Sequence, residues 1–554
     1  MKKFKVGLIV DDGPLNHNII QLIQLCKRSL VFEISLIIVQ KRNRVKFYEL
    51  IKRIILDKNF RSNSLRALTL KLILKCETTT FLKRYKLQNS PVKEKEENIN
   101  YNRIELSPRV SKNGSVYRYD NKDIQKIKNQ NVDILVRCGS GILKGEILDL
   151  CKHGVISFHH GDNRVNRGGP PGFWEVYNRE ESTGFTIQIL NEELDGGDIV
   201  TRGNIPTSFL YGLNRARIYK KANIFMYKAL ENILGNENYS FLDKTPYYRP
   251  LYRLPSVLTQ AHYCIKTCVI LADKAINKIM GRHLRWNVGY FFCDDWKDTV
   301  FWKATRIKNP YNRFFADPFI YNHRGNNFCF VEDYSYSKNK GEISVLKIFN
   351  EGHQFLGKVL SEDFHLSFPF IIEDKNDIYL VPETHQKQEI RIYKSLDFPL
   401  NWKLEKVLLR NISAVDTVIF KKNGVWWLLT NIDSSNSGDH CSELHIYYSK
   451  KLISSNWTPH RNNPIIFDSN RARNAGLIKK GDDIYRIFQT QSWSFYGKKF
   501  GVAKIEKIDE YEYEEKLYVN ISPDFFKDAL GTHTFDFKNN LSVFDFVTIE
   551  DIKK

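Results

Sequence analysis

The chain lacks the cysteine patterns that bind metal. Nine cysteines lie scattered at positions 26, 76, 138, 151, 264, 268, 293, 329 and 441 of the 554 residues, with no CxxC and no paired Cys/His spacing. That excludes a zinc ribbon or finger, and no metal is expected. An odd, unpatterned cysteine count suits a reducing compartment. No stretch approaches the ~20 apolar residues of a membrane-spanning helix. No GxGxxG follows the first apolar run, so nothing there supports a dinucleotide cofactor. The start, MKKFKVGLIVDDG, has too short an apolar run for a secretory signal and reads as a strand. Together these absences predict a cytoplasmic protein.

What is present is a folded, strongly basic chain. Hydrophobic residues make up 42% and aromatics 13%, which excludes a disordered polypeptide, and the length argues for two to four domains. A net charge of +21 suits anionic partners: nucleotide phosphates, folate glutamates, nucleic acid or an anionic membrane face. The same charge is also what a solvated basic surface would carry. Nucleic acid is the weakest of these partners, because no RNP-type aromatic motif is present. Residues 41–89 concentrate the excess, with 14 Lys/Arg against 3 Asp/Glu interleaved with Leu, Ile and Phe at helical spacing. This insertion, extending to about residue 100, reads as a helical excursion with a solvated basic face. Peripheral contact with an anionic membrane is the alternative.

Two regimes divide the chain. Residues 4–10 and 31–40 are continuous apolar runs flanking a helix at 16–29, as in a parallel sheet buried on both faces. Residues 90–104 are polar and read as a loop. An α/β rhythm resumes over 123–158, with a helix expected from Gly145 to Cys151. A long amphipathic helix at 214–234 ends at Gly235. This predicts an α/β, Rossmann-type domain over 1–235. Three prolines in 240–255 mark a linker, and an apolar helix at about 256–280 completes a connecting segment, 236–289. From about 290 to 554 the chain turns to short aromatic strands with Gly, Asn and Asp turns. Units beginning near Asp317, Pro369, Asp416, Arg473 and His533 recur every 47 to 60 residues. Five such units predict an all-β, five-bladed β-propeller, with Asp317, Asp416, Arg473 and His533 converging on its axis.

The chemistry concentrates in residues 155–200. The run Val155-Ile156-Ser157-Phe158 delivers His159 and His160 to its end. A loop, Arg167-Gly168-Gly169-Pro170-Pro171-Gly172, follows. A second run, from Gly184 to Leu190, leads to Leu194-Asp195-Gly196-Gly197-Asp198. A histidine and a carboxylate at neighbouring strand ends are the material of proton transfer.

In order and spacing, Ser157-Phe158-His159, the Arg/Gly/Pro loop, Thr183-Gly184-Phe185-Thr186 and Leu194-Asp195-Gly196-Gly197-Asp198 resemble the folate-dependent formyltransferases. That family acts on glycinamide ribonucleotide, methionyl-tRNA and sugar amines, and the resemblance spans about residues 1–235. It implies N10-formyltetrahydrofolate as formyl donor. Arg137, Cys138, Gly139, Ser140, Gly141 and Ile142 match the family's folate-lining strand and loop. By the same comparison His159 is the oxyanion donor and proton carrier, and Asp195 the base. Ser157 stands where the family has Asn, so one oxyanion donor is shortened. His160 and Asp162 replace the residues usual after the family's His and, with Asp198, are candidate substitutes.

The second half is similar to the propeller found beside the glycosyltransferase in plant glucosamine inositolphosphorylceramide transferases, and more distantly to five-bladed glycosidase propellers. Its candidate funnel residues are Asp317, Glu332, Glu383, Asp416, Arg473 and His533. The leading expectation is an N-formyltransferase for an amino sugar or sugar nucleotide, with carbohydrate bound at the propeller, serving surface-polysaccharide synthesis. The alternative is a glycosidase or glycosyltransferase whose active site lies in the propeller, with a degenerate formyltransferase-like domain.

Overall fold

The computed structural model describes residues 3–41, 55–82, 101–111, 114–193, 196–236, 239–246 and 249–551. It divides into two compact units, the first comprising residues up to Thr267 together with Ser435–Ser437 and the second the remainder from Cys268.

The first unit is built on a seven-stranded sheet. Phe4–Asp11 lies between Phe32–Gln40 and Ile134–Arg137, both parallel to it. Val6, Leu8, Ile9 and Val10 are buried, as a strand covered on both faces requires. Asn102–Leu106 extends the sheet beyond Phe32–Gln40, in parallel. Val155–His159 extends it on the other side, followed by the antiparallel Ser182–Ile189 and Asp198–Pro206. The chain therefore leaves Phe4–Asp11 in one direction and later returns on its other side. Such a switch of direction opens a crevice at the carboxyl ends of the strands.

Three expectations change. The polar stretch read as a loop to residue 104 ends in the edge strand Asn102–Leu106, whose outer residues remain exposed. The expected helix from Gly145 to Cys151 is only a short 3-10 turn, Glu146–Asp149. Part of the proline-containing linker is structured: Leu251–Tyr252 pairs in parallel with Arg167–Gly168. Gly168 makes that pairing possible, since its φ is 110° and a Cβ there would lie 2.1 Å from the Tyr252 carbonyl oxygen.

Two long helices meet through a buried carboxylate. Glu77, at the end of the helix Lys58–Glu77, accepts from Gly212 N at 2.5 Å and from the Tyr263 hydroxyl. Gly212 lies in the first turn of Tyr211–Gly235, whose N-cap residue Leu210 supplies no side-chain bond. Glu77 thus does what a capping side chain would do. Glu77→Ala should lower stability by about 1–3 kcal/mol in urea unfolding, since it leaves two buried donors without an acceptor.

The second unit holds five antiparallel sheets. Four begin with Arg313–His323, Ser367–Asp374, Ala414–Lys422 and Asn474–Lys480, each continued by the strands that follow it in sequence. The fifth joins Phe535–Lys538 and Leu541–Asp551 to Arg282–Phe292 and Thr305–Ile307. The five units expected from the sequence run consecutively, whereas the last sheet is completed by strands that precede the first unit. Trp426 and Trp427 are buried in the apolar core. All four leading strands shift register near their start, at Ala316/Phe319, Ser367/Phe370, Val415/Val418 and Asn474/Gly476. Asp317, Phe368 and Asp416 sit in these irregularities with φ of 48°, 47° and 49°. Left-handed backbone at a bulge costs about 1–3 kcal/mol for a non-glycine residue and re-aims its side chain. Here it aims two carboxylates.

Candidate functional sites

The crevice of the first unit is a cavity of about 420 Å³ whose lining includes Asp11, Arg137, His160, Arg215, Tyr219 and Asn223. Asp11 and Arg137 close their strands on either side of the switch point. Ser140 latches across it, donating to the Asp11 carboxylate from its backbone N at 3.0 and 3.1 Å and from its hydroxyl at 2.8 Å. Arg137 Nη2 donates to the Gly141 carbonyl. Gly141, with φ 87°, lies so close to Tyr117 that a Cβ would meet the ring at 2.7 Å. The loop 138–142 is thus preformed. Within it, burial pushes the Cys138 thiol up to about 12, so it holds its proton.

Strand alternation separates the motif residues. Phe158 and His160 line the cavity, whereas Ser157 and His159 fall on the other parity of the run. Ser157 is buried; its hydroxyl accepts from Arg137 Nη1 at 3.2 Å and donates to the Phe158 carbonyl at 3.2 Å. A cationic donor therefore stands beside the shortened position. His159 packs its Nε2 edge against Gly161. His160 is sandwiched between Phe158, centroids 5.3 Å apart, and Tyr219, 4.0 Å apart. Burial, then His159, Arg215 and Arg137, lower its pKa to about 3, so it is neutral at working pH.

Not every motif residue joins this crevice. Asp195 lies outside the described residues. Asp162 is held by Arg164, with Arg164 Nη2 at 2.6 Å; burial works against its charged form, and Arg164 outweighs it and lowers its pKa. Asp198 pairs with Lys244 at 3.0 Å and lines a different cavity, of about 740 Å³, with Phe4, His153 and Tyr239. Ile142 pairs with Val116 in a small separate sheet. Arg215 and Tyr219 escaped the sequence reading. They lie four residues apart on Tyr211–Gly235, with the guanidinium 5.3 Å from the ring centroid. In sequence they are two polar positions of an amphipathic helix.

In the second unit the named residues form a buried polar cluster. Asp317 accepts from Thr534 Oγ1 at 2.8 Å and Phe368 N at 3.2 Å, with His533 Nε2 at 3.6 Å. His533 Nδ1 lies 2.7 Å from Asp545, which also accepts from the backbone N of His533 and Thr534. Arg473 Nε donates to Asp416 at 2.6 Å, and Gln489 Nε2 to the same oxygen at 3.0 Å. His365 stands 3.5 Å from Glu332, and His385 3.9 Å from Glu383.

Burial, opposed in part by His533, raises Asp317 to about 6. Burial and neighbouring carboxylates raise Glu332 and Glu383 well above 4.5. Burial disfavours the charged form of His533, but Asp545 and Asp317 overcome this and raise its pKa. Asp317, His533 and Asp545 place one ligand atom each within 4.8 Å of one another, close enough to hold a cation. A protonated His533 is itself a cation placed between two carboxylates. Trp286 stacks on His533 at 3.8 Å, and Tyr496 meets it edge-on at 5.2 Å. Trp286 comes from Arg282–Phe292, outside the repeat, and had no signal in sequence.

The two halves have separate kinships. Residues 301–538 match the family described as glucosamine inositolphosphorylceramide transferase 1, N-terminal. The rice (Oryza sativa subsp. japonica) glucosamine inositolphosphorylceramide transferase 1 is 37% identical over 219 residues, covering 38% of this chain and 29% of the plant protein. The methionyl-tRNA formyltransferase of Clostridioides difficile is 34% identical over 121 residues, covering 22% of this chain and 36% of the enzyme. The chain thus spans about a third of the length of the curated relatives it matches. Among solved structures, glycinamide ribonucleotide transformylase 1 from Symbiobacterium toebii is 12% identical, with TM-score 0.29, over 44% of this chain and 95% of its own. A Bombyx mori GH32 β-fructofuranosidase is 14% identical, with TM-score 0.32, over 41% of this chain and 54% of its own. This protein therefore joins a formyltransferase-like N-terminal region to a C-terminal region that matches the glucosamine inositolphosphorylceramide transferase 1 family.

Proposed function

We propose that the first unit transfers a formyl group from N10-formyltetrahydrofolate to the amine of an amino sugar carrying phosphate. We propose also that the five sheets of the second unit close into a five-bladed propeller that binds carbohydrate. The observation that carries the first reading is the switch-point crevice, where Arg137 and Arg215 face a neutral His160. Two guanidinium groups suit a phosphate-bearing substrate. The latched loop 138–142, already shaped by Ser140 and Gly141, would hold the folate, which supplies an activated formyl carbon when bound.

The chain's own residues do the rest. Arg137 offers charge-assisted donors beside Ser157, where the resembled family has a carboxamide. By the resemblance to the formyltransferases, His159, adjacent in sequence to the crevice-lining His160, carries the proton that the attacking amine gives up, and Asp195 is the base. Isothermal titration with 5-formyltetrahydrofolate, a stable isomer of the donor, should show binding that weakens in Arg137→Ala. No binding to the wild type would refute the donor assignment.

A second reading rests on the cluster of the second unit. Burial raises Asp317 to about 6, and burial with neighbouring carboxylates raises Glu332 and Glu383, so the cluster gathers carboxyl groups whose proton affinities are shifted by their surroundings. That is the requirement for acid and base catalysis at a glycosidic bond. The pKa of Asp317 sets a testable sign. A carboxyl raised on folding stabilises the fold below its unfolded pKa and loses that contribution as pH rises through about 6. Asp317→Asn removes that buried charge. Its stability relative to wild type should therefore improve from about pH 4 to about pH 6 and level off above that, a swing on the order of 1–3 kcal/mol. A pH-independent difference would show that Asp317 does not titrate in this range.

A further inference from the structure

Two helical stretches of the first unit, Lys58–Glu77 and residues 257–267 of Val257–Met280, turn apolar faces to solvent. On Lys58–Glu77, Leu70, Ile73, Leu74 and Glu77 face inward, with Leu70 in one buried cluster with Phe173, Tyr211 and Tyr263. At 3.6 residues per turn the opposite side carries Leu65, Leu68 and Leu72, which are 51%, 55% and 57% exposed. On Val257–Met280 the buried residues are Gln260, Tyr263 and Thr267, and the opposite side carries Leu258 and Ile265, 83% and 62% exposed. The helices are tied together: Gln260 Nε2 donates to the Arg66 carbonyl at 2.9 Å, and Tyr263 to Glu77. Both outward faces point away from the same buried cluster.

Charge singles out the occupant. Lys58, Arg61, Lys71 and Lys75 are exposed around the leucine stripe, and the one carboxylate of that helix, Glu77, is buried. The stretch 257–267 contains Lys266 and no Asp or Glu. A second copy of this chain laid face to face would set lysine against lysine across the interface. An apolar stripe flanked by basic residues is instead the pattern of a helix lying in the interface of an anionic bilayer. No helix among the described residues is long and apolar enough to cross one.

We propose that this two-helix face docks the protein on anionic phospholipid membrane, with Leu65, Leu68, Leu72, Leu258 and Ile265 entering the headgroup boundary. None of these residues lines the crevice or the buried polar cluster, so their variants should keep wild-type catalysis in solution. The test is flotation of the full chain with vesicles of phosphatidylcholine alone or mixed with phosphatidylglycerol. Wild type should float with the mixed vesicles, less at high salt, and stay behind with phosphatidylcholine alone. Leu65→Glu/Leu72→Glu and, separately, Ile265→Glu should cut partitioning at least about tenfold, with unchanged circular dichroism and melting temperature. Absence of vesicle binding at low salt, or wild-type partitioning by the variants, would overturn the proposal. So would a dimer of wild type, dissociated by Leu65→Glu/Leu72→Glu, with no flotation.

Discussion

Arg137→Ala is expected to lower kcat/KM for formyl transfer by about 100- to 1,000-fold, the usual cost of losing an oxyanion-type donor. The reason lies in how Ser157 is spent. Its hydroxyl donates to the Phe158 carbonyl and accepts from Arg137 Nη1. The hydroxyl is thus committed to the backbone, and the guanidinium is the donor left beside it. Arg137→Lys keeps the charge but cannot reach both Ser157 and the Gly141 carbonyl, so it should recover only part of the loss. The sharper variant is Ser157→Asn in the Arg137→Ala background. The lost guanidinium vacates space for the carboxamide that the resembled family uses, and rescue of kcat without change in KM would assign the two groups one task. A double variant no better than Arg137→Ala would show that Arg137 serves binding or the loop alone.

Arg486→Met is expected to cost the second unit about 3–5 kcal/mol, because it strands Glu515 as a buried, unpaired charge. Arg486 is fully buried, and its Nε and Nη2 each donate to Glu515 at 2.7 Å. Nη2 also donates to the Arg471 carbonyl at 2.7 Å, and Tyr513 to Glu515 at 2.7 Å. Burial alone would raise the Glu515 pKa; Arg486 outweighs it and lowers it. The sign of the pH effect follows. A carboxylate depressed on folding contributes stability above its unfolded pKa and loses it as pH falls through the folded value. The gap between wild type and Arg486→Met should therefore be full at pH 7 and close below about pH 4. Replacing both partners by apolar residues should restore most of the stability, since the pair's desolvation cost goes with it. Denaturant midpoints of wild type, Arg486→Met and the double variant, at pH 7 and pH 4, measure each of these differences.

Much of the α/β half was legible because its strands are buried on both faces. Phe4–Asp11, Phe32–Gln40 and Val155–His159 are apolar runs that no surface element tolerates. Asn102–Leu106 was not legible, since an edge strand with one wet face carries too few apolar residues to stand out. In the second half, turns such as Lys421-Lys422-Asn423-Gly424 and Lys479-Lys480-Gly481-Asp482 punctuated the hairpins plainly. The fifth sheet did not announce itself, because pairing Arg282–Phe292 with Leu541–Asp551 is a long-range event with no local signal. For the same reason Trp286 was missed beside His533. Asp317 and Asp416 were legible as repeat positions, but not their left-handed backbone, which usually falls to glycine or asparagine. Beside the crevice, sequence resemblance pointed to Ser157 as a deficit. It could not show that Arg137, one strand away, stands against that hydroxyl.

Formyl transfer by the first unit is tested most directly by the fate of the folate. The direct measurement supplies N10-formyltetrahydrofolate with amino sugars and nucleotide-linked amino sugars and follows release of tetrahydrofolate by wild type, His159→Ala and Asp317→Asn. Turnover is expected on at least one phosphate-bearing amine, abolished in His159→Ala and retained in Asp317→Asn. No turnover on any amine, together with action on a glycoside that Asp317→Asn abolishes, would contradict it and move the chemistry to the second unit.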